Sequence, residues 1–385
     1  MDTPKPFKIK LIASPEDFEP TRKDFRVVGA FNPGVATVET ANGLETVLFV
    51  RVAETPKRRI CGKVLLPFFH IKNQECAPLE IDYDITDRKG LKKVYKKHVV
   101  PKQGPTRLRH ISLPRMVLLN EDGEISEMRQ EPAISPCWEF ERFGLEDVRI
   151  TYIRKKGYFV TYVTPHRDSG VCTSLLKTRD IKNPLSLERV IRGDTPHPGS
   201  QGKDGALFSE KIASPAGTEI IRKGQKLYAA LVRPDAHPDV SRPGVGVSFS
   251  PDLVHWGQSH RLITSEGDEV TGTGSPPVKR PYGWLAAYHE TTRNKKGKTN
   301  YGTKFMVLDL KKPWIVLYKT PTLLEREDFR KILPENGYVP NTVFTTGMVV
   351  DEKRGIITLY HGIDDKWTAL TSYYTKDIDK FARAA

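Results

Sequence analysis

The residues best suited to chemistry form the stretch Glu146-Asp147-Val148-Arg149, which places two carboxylates beside a guanidinium. Alternate residues of an extended strand share a face, so Asp147 and Arg149 are predicted to point one way and Glu146 and Val148 the other. A carboxylate and a guanidinium that face one pocket are either an acid beside an anion anchor or a structural ion pair. The stretch by itself leaves both interpretations open.

Further polar residues fall at comparable places along the chain: Asn32, the Lys203-Asp204 pair, Arg233, the run Tyr288-His289-Glu290, and Asp365. If they converge, one acid and up to three cations edge a common pocket: Asp147, Lys203, Arg233 and His289. Such a set suits the binding of an anion beside a group that needs a proton. For each residue alone, a satisfied polar side chain is the simpler interpretation. Their recurrence at matching positions favours a shared pocket.

The elements that must position these residues are strands. Runs rich in β-branched and aromatic residues predict strands at 47–52, 158–163, 227–232, 284–288 and 356–360. A turn precedes each run, and upstream of the turn lies a shorter strand that opens with one of the polar segments. Helical periodicity is scarce: a short helix or loop is predicted at 321–333 and a helix at the C-terminus.

After Asp147 the polar segments recur at intervals of about 60 to 70 residues, while the gap from Asn32 to Asp147 is longer. Five hairpin units of this period are typical of an all-β, five-bladed β-propeller, whose innermost strands border an axial pocket. A β-sandwich with fortuitous hairpins is the alternative. We expect one catalytic domain over 1–385, with an N-terminal extension at 1–25, an insertion at 53–137 and a short helix at 376–385.

Composition narrows the possible functions. The chain has 385 residues, of which 38% are hydrophobic and 28% charged, as in globular proteins. No apolar run reaches the roughly 18 residues that cross a bilayer, and the N-terminus lacks the apolar stretch of a signal peptide. A net charge of +14 predicts an anionic partner. The basic clusters are short and lack interleaved aromatic residues, which makes nucleic acid an unlikely partner.

The four cysteines show neither a C-x-x-C pair nor zinc-finger spacing with histidine: Cys61, Cys76, Cys137 and Cys172. They are too few for a disulfide scaffold in a chain of this length. We therefore expect free thiols and a cytoplasmic protein.

Several of these segments resemble, in order, those of glycoside hydrolase family 130, the β-mannoside phosphorylases and related β-mannosidases. The segments are Phe31-Asn32-Pro33-Gly34, Gly144-Leu145-Glu146-Asp147, Lys203-Asp204, Leu207-Phe208, Gly283-Trp284-Leu285, Leu308-Asp309-Leu310 and Val339-Pro340-Asn341. The resemblance extends from Asn32 to Asp365. It implies a five-bladed propeller with its active site in the axial depression.

The resemblance implies phosphorolysis of a β-mannosidic bond by inorganic phosphate, with inversion to α-mannose 1-phosphate. The expected substrates are mannobiose, manno-oligosaccharides, or mannosyl-glucose and mannosyl-N-acetylglucosamine. Asp147 matches the family's general acid. The phosphate-binding positions fall on Lys203, Arg233, His289 and Tyr301, and the expected substrate-binding residues are Asn32, Arg51, Arg149, Asp204, Phe344 and Asp365. Phosphate is the co-substrate, no metal or organic cofactor is implied, and family members often form homo-oligomers.

Three positions depart from the family pattern. Val148 and Ser209 each replace a proline, and Glu290 stands where glycine is common in the phosphorylases. Some family members are inverting hydrolases that use a glutamate as base, a role that Glu290 could fill. On a strand, however, Glu290 is expected to point away from His289. An inverting β-mannosidase is therefore one alternative function. A propeller that binds carbohydrate or nucleic acid without catalysis is the other.

Overall fold

The structure is a computed structural model that describes residues 3–41, 43–71, 79–104, 106–166, 170–191, 202–213, 215, 225–234, 244–257, 259–265, 270–293, 299–333, 335 and 337–383. The strands of the N-terminal part are β1 (Lys8–Ala13), β2 (Phe25–Thr40), β3 (Gly43–Pro56), β4 (Lys63–His70), β5 (Glu80–Asp87), β6 (Leu91–Val94), β7 (His98–Pro101), β8 (Arg107–Leu108), β9 (Ile111–Leu119) and β10 (Ile125–Pro132).

The middle of the chain contributes β11 (Glu146–Ile153), β12 (Gly157–His166), β13 (Gly170–Thr178), β14 (Glu188–Ile191), β15 (Gly202–Leu207), β16 (Ile212–Ala213), β17 (Lys226–Pro234), β18 (Gly244–Ser250) and β19 (His260–Thr264). The C-terminal part contributes β20 (Thr271–Thr273), β21 (Val278–Arg280), β22 (Gly283–Arg293), β23 (Thr299–Leu308), β24 (Val316–Lys319), β25 (Val343–Asp351), β26 (Ile356–Ile363), β27 (Trp367–Tyr374) and the helix α1 (Thr375–Arg383). Short 3-10 helices lie at Pro15–Asp17, Arg88–Gly90, Glu139–Glu141, Pro184–Ser186 and Arg326–Phe329. The all-β prediction is confirmed.

The strands form five large antiparallel sheets within the described residues. Sheet I has the order β2-β3-β9-β10, sheet II β11-β12-β13-β14 and sheet III β15-β17-β18-β19, with β16 beside β17. Sheet IV has the order β20-β22-β23-β24, with β21 beside β22, and sheet V has the order β25-β26-β27-β1. Each predicted strand run lies in the second strand of one sheet, so the hairpins predicted from the sequence are confirmed.

Each large sheet shares a hydrophobic core with two others. Residues of sheets I and II form one cluster, and further clusters join II with III, III with IV, IV with V, and V with I. The first strands also touch in sequence, with β2 against β11 and β25, β11 against β15, and β15 against β20. The first strands of the five sheets therefore lie side by side.

The two chain termini meet in sheet V. Strand β1 pairs with β27, which places it inside the segment 1–25 that the sequence analysis treated as an extension. Likewise β9 and β10 lie within 53–137 but belong to sheet I. The part of that segment outside the large sheets is 57–110, which contains two small sheets, β4-β5 and β6-β7-β8. No described helix is long and apolar enough to cross a membrane.

The thiol prediction is wrong at one position. Cys137 is disulfide-bonded, whereas Cys61 is an exposed free thiol and Cys172 a buried one. Cys76 lies outside the described residues.

Candidate active site

Three residues of the polar segments have a left-handed backbone conformation. Asn32, Asp147 and Asp204 have φ values of 49°, 47° and 64°. At each of them the strand pairing shifts register, between Phe31 and Gly34 in β2 and at the corresponding places in β11 and β15. Left-handed backbone is costly for residues with a Cβ and accumulates at functional sites. The three bulged residues lie close together, because Asn32 donates to Asp147 and Arg149 donates to both Asp147 O and Asp204.

The bulge at Asp147 overturns the predicted alternation of β11. Glu146 and Asp147 both reach Arg51, so they do not lie on opposite faces. The prediction assumed a regular strand, and the left-handed residue breaks the period of two. Val148, which stands where the family pattern has proline, is fully buried in the core between sheets I and II.

Arg51 is the centre of the acidic half of the site. Its Nη1 donates to Asp147 Oδ1 at 2.8 Å, its Nη2 contacts the Glu146 carboxylate, and its Nε donates to Ser112 Oγ at 3.0 Å. Asn32 Nδ2 donates to the same Asp147 oxygen at 2.7 Å. The guanidinium is 2% exposed, so these partners hold a buried charge network of one cation and two anions.

This network decides the ionisation of Asp147. Burial by itself raises the pKa of the carboxyl group, but Arg51, Arg149 and the hydrogen bond from Asn32 outweigh burial and lower the pKa. The pKa of Glu146 is lowered as well, where burial is outweighed mainly by Arg51. Asp147 is therefore a carboxylate in the ligand-free protein at neutral pH.

Arg149 is buried and connects sheet II to sheets III and IV. Its Nε donates to Gly274 O at 2.6 Å, and its Nη2 donates to Thr273 O at 3.0 Å and to Asp204 Oδ1 at 3.2 Å. Its Nη1 donates to Asp147 O at 2.8 Å. All three nitrogens of Arg149 donate to oxygens of the protein. The geometry therefore supports a role for Arg149 in positioning the two aspartates.

The basic half of the site lies on sheets III and IV. Lys203 and Arg233 are cross-strand partners in β15 and β17, and Arg233 Nη1 lies 3.8 Å from Asp204 Oδ2. His289 on β22 is 2% exposed. Neither ring nitrogen of His289 has a hydrogen-bond partner among the described residues, and neither does Arg233 Nε. Unpartnered buried polar atoms of this kind are typical of a site that binds a polar ligand.

The protonation of His289 follows from its surroundings. Burial, followed by the charges of Arg233, Arg149 and Lys203, places its pKa well below the ordinary value. The neutral ring has one N–H donor and one acceptor. Gly272 backs this ring: a Cβ at that position would overlap the imidazole.

Two aromatic residues complete the wall around His289. The Phe344 ring centroid lies 4.4 Å and the Tyr301 centroid 6.0 Å from that of His289. Arg149 stacks on Phe344 at 5.6 Å from its centroid. The Tyr301 hydroxyl remains protonated, since burial raises its pKa. The structure thus brings both residues to the cations that the sequence analysis grouped.

Asp365 reaches the site with a partner that the sequence did not reveal. Its Oδ2 lies 2.8 Å from Lys97 Nζ, and the segment carrying Lys97 is tied down by a hydrogen bond from Arg109 N to Lys97 O at 3.0 Å. Sequence spacing did not single out Lys97, because spacing cannot show that this segment folds over sheet V. His110 is the second residue missed: its Nε2 lies 3.3 Å from Arg51 Nη2.

Glu290 lies apart from the other candidates. Its carboxylate is paired with Lys304. His289 and Glu290 are successive residues of β22 in unbroken register, so their side chains lie on opposite faces, as predicted.

The arrangement joins a carboxylate held by Arg51 to a group of cations with free donors. Such a pocket can hold an anion and supply a proton nearby. The described residues contain no group of three or more His, Cys, Asp or Glu side chains placed to hold a metal ion.

Comparison with known proteins agrees with this geometry. The glycoside hydrolase 130 family model, described as beta-1,4-mannooligosaccharide phosphorylase, matches residues 112–384. A beta-1,2-mannobiose phosphorylase of Listeria innocua is 30% identical over 365 residues, covering 92% of this chain and 91% of the relative. A 1,2-beta-oligomannan phosphorylase of Thermoanaerobacter is 31% identical over 68% of this chain and 78% of the relative.

A solved structure shares the architecture. The Listeria innocua beta-1,2-mannobiose phosphorylase in complex with beta-1,2-mannobiose superposes with a TM-score of 0.77 and 26% identity, covering 98% of this chain and 100% of that chain. The resemblance stated from the sequence is confirmed: the chain belongs to glycoside hydrolase family 130.

Proposed function

We propose that the protein is an inverting β-mannoside phosphorylase. The observation that carries this proposal is the set of unpartnered buried nitrogens on Arg233 and His289, with Lys203 opposite Arg233 in the strand pair. Asp147 lies near enough for its charge to act on His289. A phosphate dianion would satisfy these donors, and the fixed charges of Lys203 and Arg233 would offset its desolvation. The relatives named above, both phosphorylases, support the same reaction class.

The proposed reaction exchanges one bond at the anomeric carbon. A phosphate oxygen, oriented by Lys203, Arg233 and His289, attacks the anomeric carbon of the mannosyl unit as the glycosidic C–O bond breaks. The attack comes from the opposite face, so a β-mannoside gives α-mannose 1-phosphate. The glycosidic oxygen receives a proton that Asp147 supplies, and the leaving sugar departs with a free hydroxyl. Phosphate replaces the base-activated water of a hydrolase, so the reaction needs no catalytic base.

Phosphate binding would also prepare Asp147. In the ligand-free protein the arginines keep this group ionised, which opposes its role as an acid. A dianion bound beside it adds negative charge and raises the pKa of the carboxyl group. The phosphate therefore acts both as the nucleophile and as the charge that allows Asp147 to hold a proton.

The neighbours of Asp147 have positioning roles in this proposal. Asn32 and Arg51 orient the carboxylate, and Arg149 holds Asp147 and Asp204 at the junction of three sheets. Phe344 offers an apolar face to a sugar ring, while Asp365 can accept hydrogen bonds from its hydroxyl groups. Tyr301 lies beside the proposed phosphate position.

For the substrate we propose a β-1,2-linked mannobiose or short β-1,2-mannan. Both curated relatives act on β-1,2-linked mannosides by their names, and the solved structure of the Listeria innocua protein contains beta-1,2-mannobiose. The family model carries a β-1,4 description, so the linkage is decided by experiment.

The five sheets support a finer description of the fold. We propose that they are the blades of a five-bladed β-propeller, with the site residues at one end of its axis. Each sheet shares a core with two neighbours, and β1 closes sheet V with the N-terminal segment. One catalytic domain then includes the whole chain.

The hydrolase alternative finds no support in the geometry. Its base would be Glu290, whose carboxylate is paired with Lys304 on the face away from His289. Lys203 and Arg233, which a hydrolase would not need because its nucleophile is water, are present in the site.

The decisive experiment incubates the protein with β-1,2-, β-1,3- and β-1,4-mannobiose, mannosyl-glucose and mannosyl-N-acetylglucosamine, each with and without inorganic phosphate. Phosphate-dependent α-mannose 1-phosphate from the β-1,2-linked sugar is the expected result. Free mannose at the same rate with or without phosphate would make the protein a hydrolase. The same assay after treatment with EDTA tests the proposal that phosphate is the only co-substrate and that no metal takes part.

Two further expectations stay predictions. A homo-oligomer, expected from the family resemblance, is tested by light scattering coupled to size-exclusion chromatography. A cytoplasmic location is tested by cell fractionation.

A further inference from the structure

A second concentration of positive charge lies outside the candidate active site. It is a cavity of about 540 Å³ between the end of sheet I and the segment that follows β3. Its wall contains seven cationic side chains: Arg26, Lys57, Arg58, Arg59, Lys63, Arg88 and Arg109. None of its lining residues is acidic. We call this cavity the basic cleft.

Among the described residues, most of these charges have no carboxylate partner. Lys63 pairs with Asp87 at 2.8 Å, but within the described part of the chain no carboxylate pairs with the remaining six cations. The Nε of Arg109 is buried and has no hydrogen-bond partner in the same part of the chain. Six like charges around one concavity repel each other, so an anion in the cleft would be bound favourably.

The basic cleft lies at the active-site end of the molecule. In sheet I the β2–β3 turn pairs Thr40 with Gly43, while Arg51 pairs with Phe31 further along the hairpin. Thr55, which lines the cleft, lies four residues beyond Arg51 in the direction away from the turn. At about 3.3 Å per residue the separation along β3 is roughly 13 Å. Arg109 also precedes His110, which contacts Arg51.

Size and chemistry together define the ligand. Small-molecule sites have volumes of about 300–1,000 Å³, and the cleft falls in this range. Guanidinium groups bind phosphate oxygens through paired N–H donors. We propose that the basic cleft is a second anion site that binds a phosphate monoester carried by a sugar. The anion chemistry stands on the cleft alone, whereas the choice of a sugar rests on the proposed function of the neighbouring site.

The test isolates the basic cleft from the candidate active site. Binding of α-mannose 1-phosphate and of inorganic phosphate is measured by calorimetry at low salt in R233A, which weakens binding at the candidate active site. The second protein is R233A with R58A and R59A, whose side chains are exposed and lie outside the proposed catalytic groups. The matched control is R233A with K155A and K156A, which removes two charges at the β11–β12 turn, the other end of a sheet.

The expected result is one sugar-phosphate site per chain in R233A. Its affinity should fall at least tenfold in the R58A/R59A protein and remain unchanged in the K155A/K156A protein. Unchanged affinity in the R58A/R59A protein with an unaltered melting temperature would overturn the proposal. If inorganic phosphate binds as tightly as the sugar phosphate, the sugar part of the proposal is wrong. The proposed function is tested separately, by phosphorolysis. If wild type and R233A showed the same rate of phosphorolysis, the proposed function would be wrong, and the binding comparison of the R233A variants would still test the basic cleft.

Discussion

Replacement of Asp147 by asparagine separates the chemistry of the site from its stability. The carboxylate accepts hydrogen bonds from Arg51 and Asn32 at one oxygen, Oδ1, and an asparagine oxygen in its place can accept both bonds without the negative charge. Arg51 also keeps its contact with Glu146, so no unpaired buried charge is left. A hydrogen bond to a neutral acceptor is weaker than one to a charged acceptor, so loss of the charge at these two bonds should cost about 1–3 kcal/mol of unfolding free energy. With about 2.1 cal/mol/K of unfolding entropy per residue, a chain of 385 residues would melt about 1–4 °C lower.

The sign of the pH dependence follows from the same contacts. The pKa of Asp147 lies below its ordinary value, so the ionised group stabilises the fold above the unfolded pKa. This contribution disappears as the pH falls through the folded value. In the asparagine variant the loss of stability should therefore be largest near neutral pH and should shrink in acid.

The effect on activity is expected to be much larger. Removal of a general acid typically costs a factor of about 10²–10⁴ in rate. The assay is release of α-mannose 1-phosphate from mannobiose under saturating phosphate, with substrate affinity measured separately by calorimetry. Affinity should change less than tenfold, since the variant keeps the shape of the site.

Two results would refute the reasoning. A variant that keeps more than one tenth of the wild-type kcat/KM would show that Asp147 is not the acid. A melting temperature lower by more than about 10 °C would show that Glu146 alone does not stabilise the buried charge of Arg51. Glu290→Gln is the control, because it removes a carboxylate that pairs with Lys304 away from the cations. Its activity should stay within threefold of wild type.

Three further predictions concern Lys97, Gly272 and the cysteines. Lys97→Met should raise the KM for mannobiose at least tenfold while leaving the KM for phosphate within threefold, and equal changes in both constants would contradict a role at the sugar end. Gly272→Ala should raise the KM for phosphate, because the added methyl group displaces the His289 ring; an unchanged value would show that the ring does not set phosphate affinity. Alkylation without reductant, read by mass spectrometry, should modify Cys61 but not Cys137, and labelling of both would refute the disulfide.

The sequence predicted the hairpins well because their signals are local. Five apolar, β-branched runs are each bounded by turn residues, and each became the second strand of a sheet. Polar residues recur at matching places in these hairpins, and this recurrence predicted that Lys203, Arg233 and His289 would share one pocket. The unbroken part of β22 also behaved as predicted, with Glu290 and His289 on opposite faces.

The prediction failed where the backbone leaves its regular period. A single left-handed residue at Asp147 moves Glu146 to the same arginine, and alternation cannot anticipate such a bulge. The segment 57–110 carries no motif, so neither the approach of Lys97 to Asp365 nor the basic cleft could be inferred from spacing.

By itself the sequence determined the all-β class, the five hairpin units and the cationic character of the pocket, because periodicity and composition are properties of neighbours along the chain. The tertiary structure decided the ionisation of Asp147, the positioning role of Arg149 and the partner of Asp365. These depend on distances between residues far apart in sequence, and electrostatic energies inside a protein are set by such distances and by burial.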